Sequence, residues 1–414
     1  MILRLHTPAE VISGNVVLPG SKSISNRILI IKALSGLSFS VKNISDADDT
    51  KYLSKALDNY STNKVIDVGH AGTDLRFLTA FLSIKNDNYE LTGSERLKQR
   101  PIKELVDVLR KLGAEIDYKN VEGFPPLIIN GKQLNGGKVE ISGSVSSQFI
   151  TALLLVAPYF KNGLELTILN ELVSKPYVNM TIELMKAFGA SVSWKDKIIS
   201  VSPIPYLYTK DEYIIESDWS AASYFYSLVA LSPLNTTLEL EGLFKYSLQA
   251  DSICETLYKS FGVTTEFLSN KIVLTKSYKL DTNFFEYDFI TCPDISQTTV
   301  CTCIGLKLSF KFTGLQTLKV KETDRIIALK NEIKKFGFDL SISENSIQSV
   351  NNNSSYTSHD ILITTYNDHR MAMSFAPLCL LYDGISIENA EVVSKSYPLF
   401  WKHLQQIGIK TMQL

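Results

Sequence analysis

The chain is 414 residues long, 45% apolar and 21% charged, with a formal net charge of −1. That length exceeds what one hydrophobic core ordinarily serves, so two domains are expected. The near-neutral balance excludes recruitment of nucleic acid or an anionic membrane surface by overall charge, so any cationic site must be a local concentration.

Residues 1–19 alternate apolar and polar side chains (Leu3, Leu5, then Val11 to Leu18) and read as strand. No basic stretch there leads into an apolar run with a small-residue cleavage site, so no export signal is expected. No run of about 20 residues is free of polar groups, so no membrane span is expected. The longest apolar run, Phe149 to Val156, is short and broken by Thr151.

The first motif follows at once: Leu18-Pro-Gly-Ser-Lys22-Ser23-Ile-Ser-Asn-Arg27. Pro-Gly turns the chain and the serines suit a helix start. Lys22 then lies near the positive end of a helix, with Arg27 one turn after Ser23 on the same face, which favours an anion. The Walker spacing is absent, and an ordinary solvated cap is the alternative reading. Gly69-His70-Ala-Gly72-Thr-Asp-Leu-Arg76 is a small-residue turn into a helix over 77–82, where a ligand can approach the backbone. Arg100-Pro101 precedes a helix over 102–112. Ser142-Gly-Ser-Val-Ser146-Ser147-Gln148 sets hydroxyls and an amide at a helix start, either as a neutral phosphate cradle or as plain caps, and Ser174-Lys-Pro-Tyr177 opens the next helix in the same manner.

A larger pattern runs through these motifs. An amphipathic helix ending in Gly, with a strand directly after it, recurs at Gly113, Gly189, Gly262, Gly337 and Gly408, and a weaker copy over 52–60 lacks the Gly. Glycine stops a helix by taking a left-handed conformation at little steric cost. Units of roughly 70 residues are too long for a solenoid and suit six α/β modules, three to a domain.

Asp294 and Lys319-Val-Lys321-Glu322-Thr-Asp-Arg325 come next, with Lys321 and Arg325 four apart and so expected on one helix face. Asn367-Asp-His369-Arg370-Met-Ala-Met373 and Lys395 complete the set. Singly, a charge run is a solvated face and a lone His is structural. Together the cations Lys22, Arg27, Arg100, Lys321, Arg325, Arg370 and Lys395 point to a small polyanionic substrate. Five cysteines, odd in number and without a CxxC pair, are expected to be buried, reduced thiols, and no metal site is expected.

In this order, the Pro19–Arg27 string, Ala71-Gly-Thr73, Arg100-Pro101, Ser146-Ser-Gln148, Ser174-Lys-Pro-Tyr177, Val320–Arg325 and Tyr366–Met373 resemble the EPSP synthase family over nearly the whole chain. The resemblance implies two similar α/β domains, each of three βαβαββ units in an inside-out α/β barrel, with the active site in the cleft. It places one domain at 20–216, carrying the shikimate-phosphate cradle. The other is 1–19 plus 217–414, carrying the proton acceptor and much of the phosphoenolpyruvate site. Shikimate 3-phosphate would be held by Lys22, Ser23, Arg27, Ser146, Ser147, Gln148, Ser174, Tyr177, Asp294, Thr317 and Lys321. Phosphoenolpyruvate would meet Lys22, Gly72, Arg100, Gln148, Arg325, Arg370 and Lys395. Asp294 with Lys321 would take the proton of the 5-hydroxyl, Glu322 would handle protons at the methylene, and Lys22 and His369 are counted among the catalytic groups. No cofactor or metal is implied, and the expected setting is a monomeric bacterial cytoplasmic enzyme whose partners are small-molecule substrates, not nucleic acid or membrane.

Three positions depart from the family pattern: His70 where Asn is usual, Phe77 where Pro is frequent, and Thr317 where an Asn would face the shikimate phosphate. The rival readings are the sister enzyme acting on UDP-N-acetylglucosamine, a catalytically dead homologue and a nucleic-acid-binding module. The sister enzyme's reactive Cys loop has no counterpart here, since no Cys lies in the 70–100 region.

Overall fold

The computed structural model describes residues 1–8, 10–144, 146–350 and 360–414. Residue 9 of the amino-terminal stretch and Val145 of the hydroxyl-rich motif lie outside the described residues.

The repeat is a βαβαββ module. In the plainest copy, strand Val65–Asp67 leads through helix Gly72–Ser83 to strand Asn88–Thr92, and helix Lys103–Lys111 then leads to the hairpin Glu115–Tyr118 and Leu127–Asn130. The first two strands pair in parallel, as a helical crossover requires, and the hairpin adds antiparallel to the second. The same order recurs in the sheets starting at Gly137–Ser142 and Phe284–Asp288. Two further four-stranded sheets are completed by the amino terminus: Asn15–Val17 pairs with Thr237–Glu241, and Leu3–His6 joins Ile385–Ile387 to Lys410–Gln413.

The five repeat glycines all have positive φ, from 79° to 103°. Each therefore ends its helix in a conformation that other residues rarely adopt, and a strand follows within three residues. The weaker copy, helix Asp48–Asn59, ends at Tyr60 in a right-handed conformation. Among the described residues its sheet has just the parallel pair Ser40–Lys42 and Glu212–Ile214, with no hairpin. Without a left-handed residue the chain does not double back and runs on into Val65–Asp67, the next module's first strand.

Three modules form a unit of Ser21–Ile215, and three form a unit of Met1–Gly20 with Glu216–Leu414. Each unit has its own hydrophobic core. Helices Gly72–Ser83 and Ser147–Val156 of one unit, and Trp219–Leu231, Ser296–Gly305 and His369–Phe375 of the other, are buried on nearly every face. Such all-round burial is what an inside-out arrangement, with helices within and sheets outside, requires. Between the last three helices small hydroxyls replace large apolar side chains and satisfy one another: Thr302 Oγ1 donates to Ser227 Oγ at 2.8 Å, and Thr298 and Ser374 meet at 3.1 Å. Cys301 and Cys303 lie on the Ser296–Gly305 helix, and all five cysteines are buried free thiols. Among the described residues no helix is long and apolar enough to cross a membrane.

Candidate active site

In the Ser21–Ile215 unit the motifs sit at the starts of the inner helices. Ser21 caps helix Lys22–Ser35 by accepting from the Ile24 amide. Lys22, the first helical residue, pairs with Asp49 Oδ2 at 2.9 Å. Asp49 belongs to the first turn of helix Asp48–Asn59, where an acidic residue suits the helix dipole.

Arg27 is buried, and three helices supply its partners. Its Nε donates to Thr181 Oγ1 at 2.8 Å and Nη1 to the Ser23 carbonyl at 2.7 Å; Nη2 donates to Thr151 Oγ1 at 3.4 Å and to the Tyr177 carbonyl at 3.3 Å. Burial lowers the guanidinium to about 10, so it stays charged at neutral pH. These bonds take four of five N–H directions and fix the plane of the remaining one.

Gly72 is the first residue of its helix, and its reason for being glycine is close approach rather than an unusual φ. A Cβ there would lie 2.1 Å from Arg100 Nη1 and 2.6 Å from Arg76 Nη1. Gln148 Nε2 donates to Thr73 Oγ1 at 3.0 Å, joining the hydroxyl motif to the glycine turn. Ser146 caps helix Ser147–Val156 through its Oγ, as expected. Ser174 does not cap helix Lys175–Ala187 in that manner. Its φ is 56° and its side chain makes no capping bond, because a left-handed residue turns its hydroxyl away from the first amides. His70, where the family pattern has Asn, accepts from or donates to Ser94 Oγ at 2.8 Å.

In the other unit the geometry converges on Asp294, in the short turn Pro293–Ile295. Its Oδ1 lies 3.1 Å from Arg325 Nη1 and 3.4 Å from Lys321 Nζ, and its Oδ2 lies 3.2 Å from Arg370 Nη2. Arg370 Nη1 also donates to the Asp294 carbonyl oxygen at 3.1 Å. Burial alone would raise this carboxyl, but Arg370, then Lys321 and Arg325, outweigh it and hold it well below the usual carboxylate range.

Arg325 is a hub rather than a free cation. Asp368 takes its Nε and Nη2 at 2.7 and 3.2 Å, and Glu322 takes Nη2 at 3.0 Å. Burial pulls this guanidinium down, while Asp368, Glu322 and Asp294 more than offset that and raise it. Asp368 also caps helix His369–Phe375 by accepting from the Arg370 amide at 2.8 Å. His369 is buried beside it, with Nδ1 4.0 Å from Asp368 Oδ1. Lys395 Nζ donates to the Asn367 carbonyl at 2.9 Å.

Two further expectations need correction. Lys321 is not on a helix face with Arg325, because the helix starts at Arg325 and Lys321 ends the short turn Gln316–Val320. The two meet through Asp294 instead. The cations are also not free charges: the carboxylates Asp49, Glu322 and Asp368 compensate Lys22 and Arg325. Asp368 stood inside the Asn-Asp-His-Arg string, and a helix-capping pattern was the signal for it. For Asp49 the signal was the acidic pair Asp48-Asp49 at a helix start, which marks the helix but not its partner Lys22. Among the described residues, Thr317 Oγ1 is buried without a hydrogen-bond partner.

The family model of EPSP synthase (3-phosphoshikimate 1-carboxyvinyltransferase) matches residues 6–64 and 54–404. A 3-phosphoshikimate 1-carboxyvinyltransferase of Bacteroides fragilis (strain YCH46) is 48% identical over 405 residues, 98% of this chain and 97% of that protein. One from Buchnera aphidicola subsp. Cinara cedri is 36% identical over 429 residues, covering 97% and 96%. A solved EPSP synthase structure from Acinetobacter baumannii superposes with a TM-score of 0.79 at 21% identity over 100% of both chains, a likeness of fold. Matched along nearly its whole length, and with relatives of this identity, the chain belongs to the EPSP synthase (3-phosphoshikimate 1-carboxyvinyltransferase) family.

Proposed function

We propose that the chain transfers the enolpyruvyl group of phosphoenolpyruvate to the 5-hydroxyl of shikimate 3-phosphate, a step towards the aromatic amino acids, and that it works in the cytoplasm on these small-molecule substrates. The observation that carries the mechanism is Asp294 set among Lys321, Arg325 and Arg370. The 5-hydroxyl oxygen would bond to C2 of phosphoenolpyruvate while Asp294, with Lys321, takes the hydroxyl proton and a proton arrives at the methylene. The resulting tetrahedral adduct would then lose a methyl proton and expel inorganic phosphate, leaving the enolpyruvyl ether. Glu322 is the group assigned to protons at that carbon.

Asp294 as it stands is too strongly stabilised as an anion to be a good base. Substrate anions arriving on Arg370 and Lys321 would cancel part of the positive potential and raise its basicity at the moment it is needed. Cations already fixed at the developing charge would need little reorganisation. Arg100, Arg325, Arg370, Lys395 and the Gly72 backbone are assigned to phosphoenolpyruvate. Arg27, Ser23, Ser146, Ser147, Ser174, Tyr177 and Thr317 are assigned to shikimate 3-phosphate, and Lys22 and Gln148 to both.

Phosphate release by the pure protein, with each substrate omitted in turn, tests the reading. Release that requires both substrates supports it. Release from phosphoenolpyruvate alone, or none with both present, would overturn it.

A further inference from the structure

Behind Asp294 stands a second carboxylate that the proposed reaction does not use. Asp251, in the short turn Ala250–Ile253, is 3% exposed. Its Oδ2 accepts from the Ser220 hydroxyl, while Oδ1 is buried with no hydrogen-bond partner among the described residues. The oxygen of Ser220 in turn accepts from Arg370 Nη2 at 3.3 Å, and that nitrogen is the one facing Asp294 Oδ2 at 3.2 Å. One guanidinium thus stands between two carboxyl groups, reached directly by Asp294 and through a hydroxyl by Asp251.

We propose that Asp251 is a positioning residue: through Ser220 it aims Arg370, and its protonation state sets the positive potential Arg370 offers an anionic substrate. This rests on the assignment of Arg370 to phosphoenolpyruvate made above.

Several groups around Asp251 carry charge or titrate: Asp294 on the Pro293–Ile295 turn, Arg370 on the His369–Phe375 helix, Asp218 capping the Trp219–Leu231 helix, and the thiols of Cys254 and Cys292. Burial holds both thiols in the neutral form, Cys254 well above its ordinary range and Cys292 at about 12, so neither competes for the proton. Burial and then the Asp294 charge push Asp251 up to about 7, against Arg370 and the Ser220 bond. The unpartnered Oδ1 agrees with this, since a buried carboxylate oxygen without a donor favours the protonated form. The two carboxyls are driven apart by their surroundings, one kept ionised and the other poised near neutrality.

Ionised Asp251 adds a negative charge behind Arg370 and weakens an anion bound in front of it. By linkage, the bound anion raises Asp251 by the same factor. The substrate's own phosphate titrates nearby, so the ratio of wild-type to variant KM is the useful quantity, because it cancels that effect. Full-length wild type, Asp251→Asn and Ser220→Ala are compared by initial rates of phosphate release, with circular dichroism to verify folding. The wild-type to Asp251→Asn ratio of KM for phosphoenolpyruvate should be near one at about pH 6 and rise roughly three- to tenfold by about pH 8.5. Ser220→Ala should raise that KM roughly threefold or more at every pH, with the KM for shikimate 3-phosphate changing less. A flat ratio in an active, folded Asp251→Asn protein would overturn the inference. Should Asp251→Asn fail to fold, an unchanged phosphoenolpyruvate KM in Ser220→Ala would do the same. A wild type without turnover would instead refute the function itself and this inference with it.

Discussion

A carboxylate among three cations is held ionised at a cost to its basicity, and Asp294 has to be judged on that balance. Asp294→Asn keeps the shape and removes both charge and proton affinity. Turnover should fall by roughly 10²-fold or more, while shikimate 3-phosphate affinity, measured by titration calorimetry, should change far less. Near-wild-type turnover would move the proton acceptor to Lys321. The same substitution bears on stability. The folded-state pKa of Asp294 is depressed, so the stability it contributes is present above its ordinary value of 3.8 and is lost as pH falls through the folded value. The gap in urea stability between wild type and Asp294→Asn should therefore be widest near neutrality and narrow towards acid. Gly72 carries a different argument. A methyl at this residue would strike the Arg100 guanidinium before it met any ligand. Gly72→Ala should displace Arg100 and raise the KM for phosphoenolpyruvate, at a cost of about 1–3 kcal/mol. Glyphosate, which the family resemblance implies would compete with phosphoenolpyruvate, should weaken along with it. Inhibition measured at matched phosphoenolpyruvate saturation separates the outcomes, and an alanine variant with unchanged KM would show that Arg100 is free to step aside.

Among the elements, the helix starts carry residues assigned above to substrate binding, and the glycine stops set the modules. The stops were legible because they are local: each depends on one residue's φ, and Gly113 or Gly262 announces it in the sequence. The helix starts were legible as caps at Ser21 and Ser146 for the same reason, whereas the start at Arg325, capped by Asp324, was read several residues too early. The missing hairpin after Asn59 was visible as a missing glycine, though its structural meaning was not. What escaped the sequence is pairing at long range. Nothing near Arg27 announces that Thr151 and Thr181 will hold it, and nothing near Arg370 announces Ser220 and Asp251. Those partners are brought together by the closure of three modules around inner helices. The Arg27 clamp tests this view of the elements. Thr181→Val keeps the volume of a side chain on helix Lys175–Ala187 but leaves the buried Arg27 Nε–H without its acceptor. Urea unfolding should show a loss of about 1–3 kcal/mol, and the KM for shikimate 3-phosphate should rise as the guanidinium loses its fixed plane. A stability change within a few tenths of a kcal/mol would mean that Thr151 and the Tyr177 carbonyl suffice to hold it.

At the scale of the whole molecule, the chain makes one unit from a continuous segment and the other from two pieces. The two hydrophobic cores share no residue, one drawn from between Ile24 and Ile215 and the other from Leu3 to Leu18 with Trp219 to Ile409. The continuous unit also ties its own ends together. Strand Glu212–Ile214 pairs with Ser40–Lys42, Asn43 Nδ2 donates to the Ile215 carbonyl at 2.9 Å, and Ser21 caps the helix that opens the segment. Cutting at its two boundaries removes none of these contacts. A fragment of residues 21–215, expressed alone, should therefore be a folded body with a single cooperative urea transition. It retains Arg27, Ser146, Ser147 and Ser174, so it should bind shikimate 3-phosphate, more weakly than the full chain because Asp294 and Lys321 are absent. It should release no phosphate from the two substrates, since the proposed proton acceptor is encoded outside it. Circular dichroism with urea, calorimetric titration and the phosphate assay read the three properties separately. A fragment that folds but ignores shikimate 3-phosphate would count against the assignment of the cradle to this unit. A fragment that does not fold would show that its core draws stability from the rest of the chain.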